Sequence, residues 1–442
     1  MSTTTDIKSS FISQYREFEK SLNGSAKGPL HQLRKEAMGI FEETGFPHAK
    51  NEEYKYSNIG KALEKQLAGQ AITQASSLDA AGVQPFLFDE LEANQLVFIN
   101  GQYRPELSSL ISNNSEVVIK ELSEAYQEQP ELVANALSKE ANPATDAFLA
   151  LNTAFVQHGI FLHVPDKAVV SQPIVLHFIS DSSRGTTTSQ PRNLFLIGKS
   201  AQISVVEAFH SVGEQSSFTN IVTTIDVKEN AQVDYFKLQT EQDNSLQVNT
   251  TQVQQEANSR FTATTITLGG GLVRNNLNIA QNASNIESNM FGLYFLHGKQ
   301  HVDNHTVVDH RKPHCQSNEL YKGIMDDAST GVFNGKIFVR QEAQKTNAFQ
   351  SNKNILLSDN ATINTKPQLE IWADDVKCSH GATTGQIDEE QVFYLRARGI
   401  SEESARAMLL YAFAADIIDQ ISIEPLKARF LKFLSDKLQT QI

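Results

Sequence analysis

A cysteine and a histidine two residues apart are the strongest candidates for chemistry in this chain. The chain has two cysteines in 442 residues, and one of them, Cys378, precedes His380 in the stretch DDVKCSHGAT. The alternation of Leu369, Ile371 and Ala373 predicts a strand here, and residues i and i+2 of a strand share a face. A thiolate and an imidazole on one face suit a thiophilic metal such as iron or zinc. A protein metal site needs three or four ligands, so this pair is only part of one.

Two interpretations of the pair stay open when the residues are considered alone. In the first, the missing ligands come from another chain or from sulfide. In the second, Cys378 is a buried thiol and His380 is an ordinary hydrogen-bonded histidine. Asp374 does not complete the set, because Val376 lies between it and the cysteine on the same face. The other cysteine, Cys315, is interpreted as structural.

A second concentration of metal-ligand types is a run of histidines between residues 297 and 314. Their spacings of 4, 4, 5 and 4 would align them on a helix, but the valines around them favour strands, on which only even offsets share a face. A histidine cage is one interpretation. Scattered histidines are favoured, because no carboxylate or cysteine completes a known ligand spacing. The histidines are His297, His301, His305, His310 and His314.

Motifs of several common catalytic classes are missing from the sequence. The stretch GVFNGKIF at 331–338 resembles a phosphate-binding loop, but only three residues separate its glycines, and Ile337 stands where Ser or Thr must bind magnesium. The chain has no G-x-S-x-G elbow and no H-E-x-x-H zinc motif. No catalytic residue is therefore assigned.

The bulk composition narrows the classes of function. The net charge of -13 argues against a nucleic-acid binder, because affinity for a duplex comes largely from Lys and Arg that neutralise phosphates. The first residues show no apolar core of a secretory signal, and no run approaches the roughly 20 apolar residues of a membrane helix. Two cysteines are too few for a disulfide framework, so we expect a cytoplasmic protein with reduced thiols.

Both ends of the chain show helical periodicity. Residues 1–94 form a predicted N-terminal helical region, in which Phe11 and Tyr15 lie on one stripe. Residues 400–442 form a predicted C-terminal helical region of two amphipathic helices, the first capped by Ser401. Such helices could cover the end of a repetitive β body or dock a partner.

The section between them, residues 95–399, has the texture of a β core. Short runs rich in Val, Ile, Thr and Phe are separated by Asn, Gln, Ser and Gly, which predicts many strands. A helical excursion is expected near 124–158, broken at Pro130 and Pro143.

A weak repeat runs through this core, because a small turn containing alanine precedes each apolar alternation. The spacings are 30, 26, 26 and 78, and the last is three times 26. A period in the twenties predicts a β-solenoid, in which inward side chains alternate with outward polar ones. A β-sandwich with chance spacing is the alternative. The alanines are Ala201, Ala231, Ala257, Ala283 and Ala361.

Residues 309–401 resemble the SufB/SufD family of iron–sulfur cluster assembly proteins over about ninety unbroken residues, from DHRKPHCQSNELYKG to FYLRARGIS. The stretch DDVKCSHGAT is most like SufD, since the corresponding SufB segment typically carries Glu-His-Glu before Ala-Thr. Residues 43–59, ETGFPHAKNEEYKYSNI, resemble the family's opening region less specifically, and residues 95–300 resemble it mainly in texture.

The resemblance implies a right-handed parallel β-helix between helical regions. It also implies a non-catalytic scaffold that pairs with a SufB-like subunit and docks the SufC ATPase through its C-terminal helices. Cys378 and His380 match the SufD-side positions of a cluster site at the SufB–SufD interface, so the partner subunit would supply the remaining ligands. No cofactor is then expected to bind the isolated chain tightly, whereas the complex would hold iron or a transient iron–sulfur cluster.

Two other functions are weighed against this one. A secreted-type β-helix carbohydrate-active enzyme would need converging carboxylates, but Asp374 and Asp375 would point to opposite faces of a strand. A free homodimer that uses the edge of the β-helix as its interface is the other alternative.

Overall fold

The computed structural model describes residues 6–22, 28–138 and 146–438, which form helices at both ends of the chain and long sheets between them. No helix within these residues is long and apolar enough to cross a bilayer. The helices are α1 Ile7–Ser21, α2 Pro29–Thr44, α3 Ile59–Leu67, α4 Ala80–Val83, α5 Leu122–Glu128, α6 Pro130–Ser138, α7 Ala147–Ala154, α8 Glu389–Arg396, α9 Glu402–Ile418 and α10 Glu424–Leu438.

The strands are assigned as follows: β1 Asn94–Ile99, β2 Gln102–Tyr103, β3 Val118–Glu121, β4 Ile160–Val164, β5 Ile174–Asp181, β6 Thr187–Ser189, β7 Arg192–Ile197, β8 Gln202–Val212, β9 Ser217–Val227, β10 Gln232–Gln239, β11 Ser245–Gln255, β12 Arg260–Thr267, β13 Leu272–Gln281, β14 Glu287–Leu296, β15 His301–His310, β16 Gln316–Met325, β17 Thr330–Val339, β18 Asn347–Leu356, β19 Thr362–Ile371 and β20 Lys377–Gly385.

These strands wind into a parallel β-solenoid of about eight turns. From β7 onward, successive strands alternate between two sheets, so each turn of the coil contributes one strand to each sheet. The first sheet begins in the order β2-β1-β5-β8 and continues through the even-numbered strands from β10 to β20. The second begins in the order β3-β4-β7 and continues through the odd-numbered strands from β9 to β19. The predicted mainly β solenoid with helical regions at both ends is confirmed.

The feature that recurs in each coil is a corner residue with a left-handed backbone conformation, not an alanine. One non-glycine residue with positive φ lies two positions before each even-numbered strand from β8 to β18, and asparagine, common among them, tolerates this conformation well. Ala201 and Ala231 directly precede equivalent strand positions, but Ala257, Ala283 and Ala361 do not, so the alanines themselves do not mark each coil. The corner residues are Ser200, Asn230, Asn258, Asn285, His314 and Lys345, and their separations of 30, 28, 27, 29 and 31 residues give the length of the coil.

The interior of the coil holds buried polar side chains as well as an apolar core, which differs from the expected pattern of apolar residues inside and polar residues outside. Glu207 accepts hydrogen bonds from the Tyr235 hydroxyl at 2.6 Å and from Thr223 at 2.6 Å. Lys237 donates to Asn249 and, at 3.1 Å, to Thr251 on the facing sheet. Burying Glu207 and Lys237 is tolerable because each has a hydrogen-bond partner across the coil.

Helices cover the outer faces of both sheets. The first helices pack Phe11, Phe41 and Leu63 against the outer face of the second sheet. The last helices pack against the outer face of the first sheet, where α9 and α10 contribute Ile417 and Phe430. The C-terminal helices therefore lie along the side of the coil and do not cap its end.

The helical excursion lies where the sequence predicts it, as α5, α6 and α7. Pro130 is the first residue of α6, whereas Pro143 lies outside the described residues. Strands end at Gly385, and α8 occupies part of the range that was predicted as β core. Ser401 caps α9 as expected, because its side chain accepts the backbone N–H of Ser404 at 3.1 Å.

Candidate functional site

Cys378 and His380 lie on β20, the last strand of the first sheet. Among the strands of the described residues, β20 pairs with β18 alone, where Cys378 is opposite Ala348 and His380 is opposite Gln350. Ala348 and Gln350 are both buried and alternate with the exposed Phe349, so they face the interior of the coil. Residues in register share a face, and the cysteine and the histidine therefore both face the inner side of the last coil.

The last coil has no further coil stacked on it, so its inner side is partly open. Cys378 is half-buried and His380 is exposed, although the residues in register with them one strand earlier are buried. Large apolar side chains around this end are also exposed, including Trp372 at 49%. An uncovered edge strand leaves a row of unpaired backbone N–H and C=O groups. This end therefore has the character of an unfinished interface.

The Cys378 thiol stays protonated near neutral pH in the free chain. It packs beside Ala348, Ala373 and Val376. This burial raises the pKa of the Cys378 thiol above its ordinary value, and a backbone hydrogen bond from Ala348 only partly opposes the shift. A thiol binds a metal as the thiolate, so a metal bound here must displace a proton.

His380 has no hydrogen-bond partner among the described residues, so its imidazole is free to bind a ligand. No group of three or more His, Cys, Asp or Glu side chains within the described residues could hold a metal ion. Asp375 forms an ion pair with Lys345, and Asp374 precedes the strand without joining it. From this chain, the site offers one thiol and one imidazole.

The residues behind His380 could not be found by sequence reasoning. Glu319 of β16 and Gln350 of β18 occupy the same inward column as His380. Glu319 is buried, and its carboxylate accepts a hydrogen bond from the Gln350 amide nitrogen at 2.6 Å. The alternation in SNELYKG would place Leu320 inward and Glu319 outward. The structure has the reverse, because Leu320 packs toward the C-terminal helices.

The histidine run at 297–314 does not form a metal cage. His301 and His305 share the outer face of β15, but His301 contacts the Ser57 hydroxyl at 2.7 Å and His305 contacts Asp303 at 2.9 Å. His310 faces the interior and contacts Ser317 at 2.9 Å. His301 and His305 therefore face away from His310, and each of the three histidines has its own contact within the fold.

His301 and His305 belong to a polar network that holds residues 52–57 against the second sheet. Arg274 donates to Asp303 at 2.6 Å and to the backbone carbonyl of Glu53 at 2.8 Å, and its guanidinium stacks on Tyr54. Asp303 is fully buried, and the positive charge of Arg274 helps hold its pKa well below the ordinary value despite that burial. This network is structural.

The C-terminal helices are tied to the same sheet that carries β20. Lys322 of β16 donates to the Phe413 carbonyl at 2.7 Å and to Asp416 of α9 at 2.5 Å. Beyond these contacts, α8 presents Phe393, which is 73% exposed, and Tyr394, which is 57% exposed. Two large aromatic side chains exposed on one short helix are typical of a protein-binding surface.

The buried thiol of Cys315 is part of the fold. Its side chain is fully buried and lies 3.2 Å from the carbonyl of Ala283, to which it donates. Burial raises the pKa of the Cys315 thiol. Both cysteines are free thiols.

These features define a β-solenoid protein with helices on its flanks, an open last coil and an incomplete thiol–imidazole pair. Comparison with known families shows which one it is. The model described as "SUF system FeS cluster assembly, SufBD core domain" matches residues 178–413, and the model of the SufBD N-terminal region matches residues 5–176. The chain belongs to the SufB/SufD family of iron–sulfur cluster assembly proteins and is SufD-like.

Named relatives agree with this assignment along almost the whole chain. An iron–sulfur cluster assembly SufBD family protein of Synechocystis is 34% identical over 94% of this chain and 92% of its own length. The iron–sulfur cluster assembly protein SufD of Escherichia coli is 32% identical over 89% of this chain and 90% of its own length. The chloroplastic protein ABCI7 of Arabidopsis thaliana is 30% identical over 93% of this chain and 87% of its own length.

Proposed function

We propose that this chain is a non-catalytic scaffold subunit of a SufB–SufC–SufD complex, and that it contributes Cys378 and His380 to a site for iron or a nascent cluster. The observation that carries the proposal is their position on the inner face of the last coil, which nothing in the described chain covers. Two ligands cannot complete a site, so a SufB-like subunit on this edge would contribute the others. Both thiols are free, which suits a reducing compartment such as the cytoplasm.

The C-terminal helices are the proposed dock for a SufC-like ATPase. Phe393 and Tyr394 supply exposed aromatic surface, and α9 is anchored to β16 through Lys322. Strand β16 pairs with β18, and β18 pairs with β20. A displacement of α9 during ATP binding would therefore reach Cys378 and His380 through hydrogen-bonded strands. The chain itself breaks and forms no covalent bond in this proposal. Its cargo is iron or the cluster.

Anaerobic cluster reconstitution on the co-expressed complex tests the proposal, with visible absorption as the measurement. We expect Cys378→Ala and His380→Ala to lower the cluster content while the subunits still co-purify. Cys315→Ala and His163→Ala are matched controls, because one removes the other thiol and the other removes an exposed imidazole on β4. Unchanged absorption in both site variants would refute the site. Recovery of the chain only as a homodimer would refute the partner assignment.

A further inference from the structure

The amide of Gln350 lies between Glu319 and the strand that carries His380. Gln350 is in register with Glu319 on β16 and with His380 on β20, so the three residues form one inward column. Its amide nitrogen donates to the Glu319 carboxylate at 2.6 Å. The amide nitrogen is thus the arm of the amide that faces Glu319.

The other arm of this amide is left without a partner. The carbonyl oxygen of Gln350 is buried and accepts no hydrogen bond from any described residue. A buried carbonyl with no partner is costly, so its presence calls for an explanation. The next residue along the column is His380, whose imidazole also has no hydrogen bond among the described residues. The unpaired carbonyl oxygen of Gln350, an acceptor, is thus next in the column to the unpaired imidazole of His380, which can donate.

Metal-binding histidines normally donate their second ring N–H to a carbonyl or carboxylate, which selects the tautomer and orients the ring. We propose that Gln350 is a positioning residue for His380: its free carbonyl oxygen accepts one imidazole N–H and leaves the other ring nitrogen bare for the metal, while Glu319 holds the amide in this orientation. This inference rests on the proposed function, in which His380 is a ligand.

Gly335 on the facing sheet makes room for this arrangement. A β-carbon at position 335 would lie 2.1 Å from the amide nitrogen of Gln350. The two nearest atoms belong to the far end of the flexible Gln350 side chain, and the Phe333 ring lies at 2.9 Å. Gly335→Ala would therefore push the amide aside and leave its chemistry intact. The glycine gives a second perturbation of the same contact, from the opposite sheet.

The test uses the full chain under anaerobic conditions and Co²⁺ as the probe, followed by thiolate-to-metal absorption. We expect Gln350→Met to weaken Co²⁺ binding by about 10- to 100-fold, the usual effect of removing a group that orients a ligand. Gly335→Ala and Glu319→Met should also weaken Co²⁺ binding. Glu319→Gln should bind Co²⁺ as the wild type does, because the carbonyl of the new side chain still accepts a hydrogen bond from Gln350. Thr267→Val, which removes an interior hydrogen bond four strands along the sheet, should leave binding unchanged.

A second readout reports the hydrogen bond directly. Proton NMR of the Co²⁺ form should show one strongly shifted, exchangeable resonance from the ring N–H of His380, protected by its acceptor. We expect this resonance to disappear by fast exchange in Gln350→Met. If His380→Ala weakens Co²⁺ binding while Gln350→Met leaves both the affinity and the resonance unchanged, the role of Gln350 is refuted and the proposed function stands. If His380→Ala itself leaves the affinity unchanged, the metal site fails as well.

Discussion

Glu319 gives the protein a pH-dependent stability that one substitution should remove. Burial raises the pKa of this carboxyl to about 7, although the Gln350 amide and the nearby Thr306 hydroxyl lower it. A carboxyl in the unfolded chain titrates at about 4.5. Because the folded pKa lies above the unfolded one, the folded state binds more protons between these values. The stability therefore falls as the pH rises through this window and levels off above it.

The magnitude follows from the separation of the two pKa values. About 2.5 pKa units correspond to roughly 3 kcal/mol of unfolding free energy across the whole window. The range from pH 6 to pH 8 lies above the isoelectric point of about 5.4. Averaged over this range, the Glu319 carboxyl of the folded protein carries half a proton. The wild-type protein should thus lose about 1.4 kcal/mol over these two pH units through this group. In Glu319→Gln this contribution is absent.

Urea unfolding can measure the difference, because the chain has a single tryptophan. Trp372 stacks against Phe338 beside the last coil, so its fluorescence reports the opening of that end. Histidines and other groups that titrate in this range are common to both proteins and cancel in the comparison. Glu214→Gln, at an exposed position, is the matched control. Parallel stability profiles for the wild type and Glu319→Gln between pH 6 and pH 8 would refute the assignment of a neutral buried carboxyl.

Three further predictions concern the Arg274 and Lys322 contacts and the burial of Cys315. Arg274→Met removes the arginine partner of the buried Asp303, so it should cost about 3–5 kcal/mol and speed amide exchange in residues 52–57. Lys199→Met, which removes an exposed ion pair, should change stability by less than about 1 kcal/mol, and equal costs for the two variants would contradict this account. Lys322→Met should cost about 1–3 kcal/mol and increase amide exchange in α9, and unaltered exchange there would show that the anchor is unimportant. The folded chain should react with one equivalent of a thiol reagent, at Cys378, and Cys315 should react only after unfolding. Two phases of equal rate in the folded chain would be inconsistent with the burial of Cys315.

The sequence predicts the solenoid because strand-forming runs and turn residues are local features. It predicts the corners less well, since the recurring property is a left-handed backbone that Asn, Ser, His and Lys can all adopt. The alanines therefore do not locate the corners, although their spacing indicates a solenoid. Cys378 and His380 could be paired by the alternation within one strand. The inward column of Glu319 and Gln350 could not be predicted, because the register between strands about thirty residues apart is a tertiary property.

The packing of the C-terminal helices could not be predicted from the sequence either. Their amphipathic pattern predicts that one face is buried but does not say against what, and the sequence alone favours capping of the coil's end over docking of a partner. The structure places α9 and α10 along the side of the first sheet, where Leu320 and Phe236 point outward to meet them. This placement explains why outward positions of the core strands are apolar. It also leaves the last coil uncovered.

The position of Cys378 and His380 on an edge strand determines how a metal can be held. Strand β20 is hydrogen-bonded to β18, so Cys378 and His380 have little backbone freedom to lose when a metal binds them. They can therefore present two ligands in a fixed arrangement, but two ligands bind weakly. Tight binding then requires a subunit that covers the same edge, and any movement of that subunit changes the number of ligands. Placing half of a site on an open edge makes capture and release of the metal depend on assembly.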